Sequence, residues 1–454
     1  MTVAYPIVTG HCAATPARST APGAHMSSPT AHTSKTPTDV RRVALASLVG
    51  TTIEWYDFFL YALAAVIVFR SQFFPGVSPL AGTLATLGTF AVGFVARPLG
   101  GIFFGHIGDK IGRKMTLVTT LVTMGVATFL IGLLPTYEQI GVAAPVLLVV
   151  LRIAQGLAVG GEWGGAVLIS VEHAPANRRG FYGAFPQLGV PLGLITSNLV
   201  VLILAAVMPN DQFLAWGWRI GFLISALLVV VGLWVRLRVT ESPEFAARDT
   251  TSMRLPIVDV LRDHWPQVLC GTAIFGGITA MGYMAATFAI QYGGTLGLAN
   301  TFLILAVLVG ATVEIPLSLY FSAKSDRIGQ HRMIVYGAVV SGIAAIFFLP
   351  TLATGIPVVV FLSMFLTRIS GSAMYGPAAA AAAAVFPVEV RYTGASIGYQ
   401  FGAIFGGALA PLIATLILAS PAGVWGVSAY LTAMVALSGF GAYMAGRLAA
   451  RQPA

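Results

Sequence analysis

From Val43 onward the chain alternates long apolar runs with short polar turns. The runs fall near 43–69, 79–105, 115–134, 143–170, 183–207, 217–236, 266–291, 300–322, 333–352, 355–384, 395–419 and 424–446. At 1.5 Å per residue, each is long enough to cross about 30 Å of hydrocarbon as a helix. The turns repeat as well. Residues 105–114, GHIGDKIGRK, form a glycine-rich charged turn after the second run, and residues 322–332, SAKSDRIGQHR, give a weaker copy after the eighth. Asp109 and Asp326 lie 217 residues apart, as do Gly112 and Gly329. Arg152 and Arg368 are 216 apart, and Gln187 and Gln400 are 213 apart. This pattern predicts an all-α polytopic membrane protein of about twelve transmembrane helices. They form two six-helix, pseudo-symmetric bundles in tandem, and such repeats hold their binding site between them near the midplane.

The segmentation expected from this pattern is a disordered tail over 1–40, one bundle over 41–236, a linker over 237–264, a second bundle over 265–447 and a short tail over 448–454. The first tail is rich in Ala, Thr, Ser and Pro and has no long apolar run. Within the linker, residues 257–261, IVDVL, suit a short interfacial helix.

Composition agrees with a lipid environment. Hydrophobic residues make up 57% of the chain and charged residues 9%, against about 25% in soluble proteins. The linker and the first tail are the sizeable soluble segments, so no separate domain remains to carry an enzyme. A net charge of +9 would suit nucleic acid, but its placement excludes that partner. Arg41, Arg42, Lys110, Arg113, Lys114, Arg178, Arg179, Arg236, Lys324, Arg327, Arg332, Arg391 and Arg447 fall on one side of a twelve-span count, and Arg70 and Arg219 on the other. That is positive-inside bias, and it puts both termini in the cytoplasm. Cys12 and Cys270 give neither a disulfide framework nor a metal cluster. No phosphate-cradling loop, His-Glu-x-x-His pattern or nucleophile triad is legible, so neither ATP nor a cofactor or metal is expected.

Charges inside spans cost about 2.5–3.5 kcal/mol each on insertion scales, so each needs a reason. Glu54, Asp57 and Tyr61 share one face of the first span, with Glu54 about 16 Å deep. Burial and a neighbouring like charge both disfavour a carboxylate anion, which suits Glu54 and Asp57 to carry a proton. A structural pairing with an arginine is the alternative. Arg152 lies about 14 Å into the fourth span, with Gln155, Val159 and Glu162 in a stripe along its face. Arg368, Gly371 and Tyr375 repeat that spacing in the tenth. Two midplane arginines, one per half, suit capture of a carboxylate, and Tyr61, Gln155, Gln187 and Tyr375 join them as candidate substrate contacts. A permanent ion pair of Arg152 with Glu54 or Asp57 stays open. Arg97 and Glu162 should lie near the cytoplasmic ends of their spans, in ion pairs that close an inner gate. Glu314 has no visible partner in the sequence.

The ensemble resembles the major facilitator superfamily, and more narrowly its metabolite:H⁺ symporter family, over roughly residues 40–450. The motifs are the GHIGDKIGRK turn, IEWYDF at 53–58, RPLGG at 97–101 and RIAQGLAVGGEW at 152–163, with Arg179-Gly180, GWR at 217–219 and ESP at 241–243. The resemblance implies proton-driven symport by alternating access in the cytoplasmic (inner) membrane. It also implies a cytoplasmic latch from Gly105, Gly108, Asp109, Gly112 and Arg113, with Asp326 and Gly329 as its second copy. Gln330 stands where the pattern has Arg113, which weakens that copy. The expected partners are a small organic acid or zwitterion, a proton and the lipid bilayer, with the chain acting as a monomer. An osmolyte symporter, a drug:H⁺ antiporter, a membrane-bound substrate sensor and a channel stay open as alternatives.

Overall fold

A backbone surrounded by hydrocarbon must satisfy its own N–H and C=O groups, so each apolar run closes on itself as a helix. Apart from Met1, the computed structural model describes residues 37–76, 79–111, 113–237, 256–388 and 390–450; side chains at 37–39, 66, 79–81, 83–84, 87, 105–111, 113 and 256 fall outside that description. Twelve long helices run through the described residues. In the first half they are α1 (Pro37–Ala64), α2 (Pro79–Ile111), α3 (Arg113–Leu133), α4 (Ala143–His173), α5 (Arg179–Val207) and α6 (Trp218–Leu237). The second half contains α7 (Trp265–Tyr283), α8 (Asn300–Ile328), α9 (Gln330–Leu352), α10 (Pro357–Ala384), α11 (Arg391–Ala403) and α12 (Gly423–Ala449). Counted with their continuations past short π-helical turns, as α11 runs on to Leu418, eleven meet the length and hydropathy needed to span a bilayer, and α2 holds a shorter apolar stretch at Gly88–Phe104. The expected tail over 1–40 lies outside the described residues up to position 36, where α1 is about to begin.

The two halves pack by one scheme. In the first, α1 lies against α5 and α6, α2 against α4, and α3 against α4 and α6. Shifting every number by six reproduces the second half, with α7 on α11 and α12, α8 on α10, and α9 on α10 and α12. The seam obeys the same symmetry: α5 meets α8 and α10, while α11 meets α2 and α4. The duplication legible in the turns is thus a duplication of the whole helical unit.

Small residues set the closest crossing. A Cβ on Gly160 of α4 would strike the Arg97 carbonyl of α2, and one on Gly100 would strike the Leu157 carbonyl, so backbone lies on backbone there. Large apolar side chains such as Leu227, Val230, Val339, Ile343 and Phe347 point outward and stay exposed, as a lipid-facing surface requires. The linker contributes the helix Pro256–Asp263, which packs against α7 and α11 and buries Val260. The ends of α6, α8 and α12 and the start of α1 share a face with this helix, called the linker face below.

Candidate functional site

Three hydrogen bonds tie α1, α3, α4 and α6 together at mid-span, and a fourth extends the network along α4. Asp57 of α1 is fully buried and accepts from the Thr128 hydroxyl of α3 at 2.9 Å and from the Ser225 hydroxyl of α6. Thr128 in turn accepts from Gln155 Nε2 at 2.8 Å, and Gln155 Oε1 accepts from Arg152 Nη1 at 3.1 Å. Asp57 and Arg152 are therefore joined through two polar side chains rather than by a direct ion pair. The Thr128 oxygen also lies 2.9 Å from the Met124 carbonyl, so its single proton has two acceptors to choose from. With Asp57 ionised, Thr128 donates to the carboxylate. With Asp57 protonated, the acid donates to Thr128, which turns its own proton to Met124. Both states leave the Asp57 carboxyl and the Thr128 hydroxyl satisfied. Glu54, also buried, has Arg97 and Arg236 as its cationic neighbours.

Two arginines sit beside this chain, each nearly devoid of exposure at 1%. The Arg152 guanidinium lies over Tyr61 at 4.1 Å, Phe58 at 4.8 Å and Phe90 at 5.2 Å. That of Arg97 lies over Phe94 at 4.3 Å, Phe58 at 4.5 Å and Trp55 at 5.6 Å. Aromatic faces attract cations electrostatically, and Phe58 serves both. Gly93 makes this possible, since a Cβ there would come within 2.6 Å of Arg152 Nε. Tyr61 donates its hydroxyl to Thr89 at 2.7 Å and so acts here as a wall for Arg152.

A cavity lies across the seam from these groups, lined by Trp55 and Phe59 of α1, Tyr283 of α7, Tyr375 of α10 and Tyr399 of α11, with Thr279 and Thr367 as polar points. Its wall also contains Glu314 and Arg368, which form an ion pair at 2.8 Å. Glu314 thus has the partner that the sequence left unassigned, and Arg368 is already neutralised. At about 80 Å³ the cavity holds a few waters, well short of the 300–1,000 Å³ typical of ligand sites. Gln187 is committed elsewhere: its Oε1 accepts from Trp163 Nε1 at 2.9 Å, and its amide nitrogen points at the Tyr375 carbonyl, 3.5 Å away across the seam.

Comparison with known proteins fixes the family. Residues 43–252 match a family model described as "Sugar (and other) transporter". The chain is 40% identical over 415 residues to the inner membrane metabolite transport protein YhjE of Escherichia coli (strain K12), covering 89% of this chain and 93% of that one. The chain belongs to the major facilitator superfamily. It is also 41% identical over 403 residues to the shikimate transporter of the same organism, spanning 87% of this chain and 91% of its relative. Against the glycine betaine/proline/ectoine/pipecolic acid transporter OusA of Dickeya dadantii (strain 3937), identity is 30% over 88% of this chain and 82% of that one. The fold matches the solved proton:xylose symporter XylE with a TM-score of 0.76 at 15% identity, over 90% and 96% of the two chains. The protein is a multi-pass membrane transporter of this superfamily.

At the linker face of the transporter, Asp326 at the end of α8 accepts from the backbone N–H groups of Gly180 at 2.7 Å and Phe181 at 3.0 Å, at the start of α5. A carboxylate here satisfies orphan donors and meets the positive end of the α5 dipole, across the seam between halves. Gly329 ends α8 with φ of 97°, a conformation that favours glycine. The first copy of the turn, including Gly105, Gly108, Asp109, Gly112 and Arg113, lies outside the residues whose side chains are described. Arg97 and Glu162 do not pair as gate residues: Glu162 is fully buried in an ion pair with Arg236 of its own half, and Arg97, a cationic neighbour of Glu54, forms no ion pair with a described carboxylate. Replacing Asp326 with alanine removes an N-terminal cap worth about 1 kcal/mol. Hydrogen exchange at Gly180 and Phe181 is expected to quicken about fivefold; unchanged protection would mean that the contact does not hold the seam.

Proposed function

We propose that this transporter is a proton-coupled symporter that imports a small carboxylate-bearing metabolite by alternating access. It would work as a monomer in the inner membrane, with the linker face and both termini on the cytoplasmic side. The observation that carries the reading is the chain from Asp57 through Thr128 and Gln155 to Arg152. It links a buried acid that can hold or release a proton to a buried cation suited to an anion. The similarity to metabolite and shikimate transporters supports a carboxylate cargo.

A second reading also has an observation in its favour. Trp55, Tyr283, Tyr375 and Tyr399 around the cavity suit a quaternary ammonium, and a relative carries glycine betaine. Proteoliposomes with an imposed inward proton gradient separate the two. We expect shikimate or another small carboxylic acid to accumulate, and a protonophore to abolish the accumulation. Accumulation of glycine betaine with no acid taken up would favour the osmolyte reading. Acid uptake that a protonophore leaves untouched would overturn proton coupling.

A further inference from the structure

We infer that Arg97 and Arg152 together form the anion-binding end of the transport site, with Tyr283 standing between it and the central cavity. This rests on the carboxylate reading above and deepens it. Arg97, which sequence assigns to a gate, becomes a cargo contact, and Arg368, which sequence assigns to the cargo, is replaced.

The argument starts from donors without acceptors. All three guanidinium nitrogens of Arg97, together with Nε and Nη2 of Arg152, are buried and make neither an ion pair nor a well-formed hydrogen bond with a carboxylate among the described residues. A buried cation is ordinarily paired with a carboxylate, because burying a charge unpaired is costly. Here the two cations crowd one ring, Phe58, and repel each other. Aromatic faces offset part of that cost but supply no acceptor for the N–H groups. The buried hydroxyl of Tyr283 belongs to the same cluster, since both guanidiniums act on it electrostatically and Arg97 lies within hydrogen-bonding reach of it. Donors from α2, α4 and α7 thus converge where no described carboxylate forms an ion pair with them, although Glu54 acts on Arg97 from farther off. Three convergent donors, two of them planar forks, match the lone pairs of a carboxylate.

The placement of Tyr283 gives this site its route. Its ring contacts Phe58 and Phe94 on the arginine side, with centroids 6.3 and 5.8 Å away, and also lines the cavity. Arg368, the other candidate, faces the same cavity but is held by Glu314. An incoming acid therefore meets one arginine held in an ion pair and, behind a tyrosine, two that are in none among the described residues. Turning that one ring aside would join the cavity to the arginine cluster. The carboxylate would then sit between Arg97 and Arg152, and the uncharged body of the metabolite would occupy the aromatic cavity.

The test uses the full chain purified in detergent, with benzoate and succinate as probes and their uncharged amides, benzamide and succinamide, as controls. At least one acid should raise the melting temperature of the wild type, and its amide should not. Arg97→Gln and Arg152→Gln should each weaken that protection at least tenfold in acid concentration. Without probe, neither single variant should melt far below the wild type, because neither arginine forms an ion pair with a described carboxylate. If an acid protects both variants as well as the wild type, or if both variants melt far lower without probe, the arginines are structural. The inference then fails while the carboxylate reading stands. If neither acid protects the wild type, nor does shikimate, the carboxylate reading fails and takes this inference with it.

Discussion

Arg236→Gln is expected to destabilise the transporter by about 3–5 kcal/mol, the usual loss when one member of a buried ion pair is removed. Arg236 sits near the end of α6, in ion-pair contact with Glu162 of α4 and donating to the Leu117 carbonyl of α3. Both pair members are buried, at 6% and 0% exposure. The variant strands the Glu162 charge where neither water nor another described cation compensates it. The fold has also shaped itself around this arginine, since a Cβ on Gly50 of α1 would collide with the guanidinium. Three helices meet at one side chain, so its loss should loosen the first half as a unit. The double variant Glu162→Gln/Arg236→Gln should regain most of the loss, because a neutral pair strands no charge. Denaturant unfolding in detergent measures both. A loss below about 1 kcal/mol in the single variant would show that water reaches the pair, as at an exposed salt bridge.

Asp57→Asn is expected to abolish uphill accumulation while leaving exchange of internal for external substrate. The asparagine keeps the size of the acid and can still bond Thr128 and Ser225, so the helices should remain in register. It can no longer alternate between two protonation states, and the gradient then has nothing to act on. Full accumulation in this variant would move coupling to Glu54, the other buried acid of α1. Thr128→Val is the gentler companion experiment. It breaks the link to Gln155 and should slow uptake without removing the driving force.

The fold was legible because lipid enforces a simple code. A run that must span hydrocarbon has to be long and apolar, so boundaries read from the sequence fall within a few residues of the observed helices, as for the fourth run (143–170) and α4 (Ala143–His173). The repeated turn spacing likewise follows from the duplicated packing. The site was legible only in part. Arg152 and Gln155 are three residues apart on one helix, and local spacing captures their bond. The pairing of Arg368 with Glu314 joins α10 to α8, and nothing in either run foretells it. Arg236 reads as one more basic residue at the end of a span, and only tertiary packing reveals it as buried. Thr128 and Ser225 were invisible for another reason. Threonines and serines in apolar helices commonly bond back to their own carbonyls, as Thr120 and Ser197 do here, so composition cannot pick out the two that serve Asp57.

Both α1 and α7 give way to a short π-helical turn toward the face opposite the linker, at Ala65–Phe69 and Met284–Phe288, before each resumes as Arg70–Phe73 and Ala289–Thr295. A wider turn of this kind carries an extra residue and breaks the regular hydrogen-bond ladder. These helices hold equivalent places in the two halves, so each half has a softened joint at a matching level, just beyond Asp57 and Tyr61 in one and Tyr283 in the other. The break in the hydrogen-bond ladder therefore belongs to the duplicated unit rather than to one half, as the repeated turns and the repeated packing do.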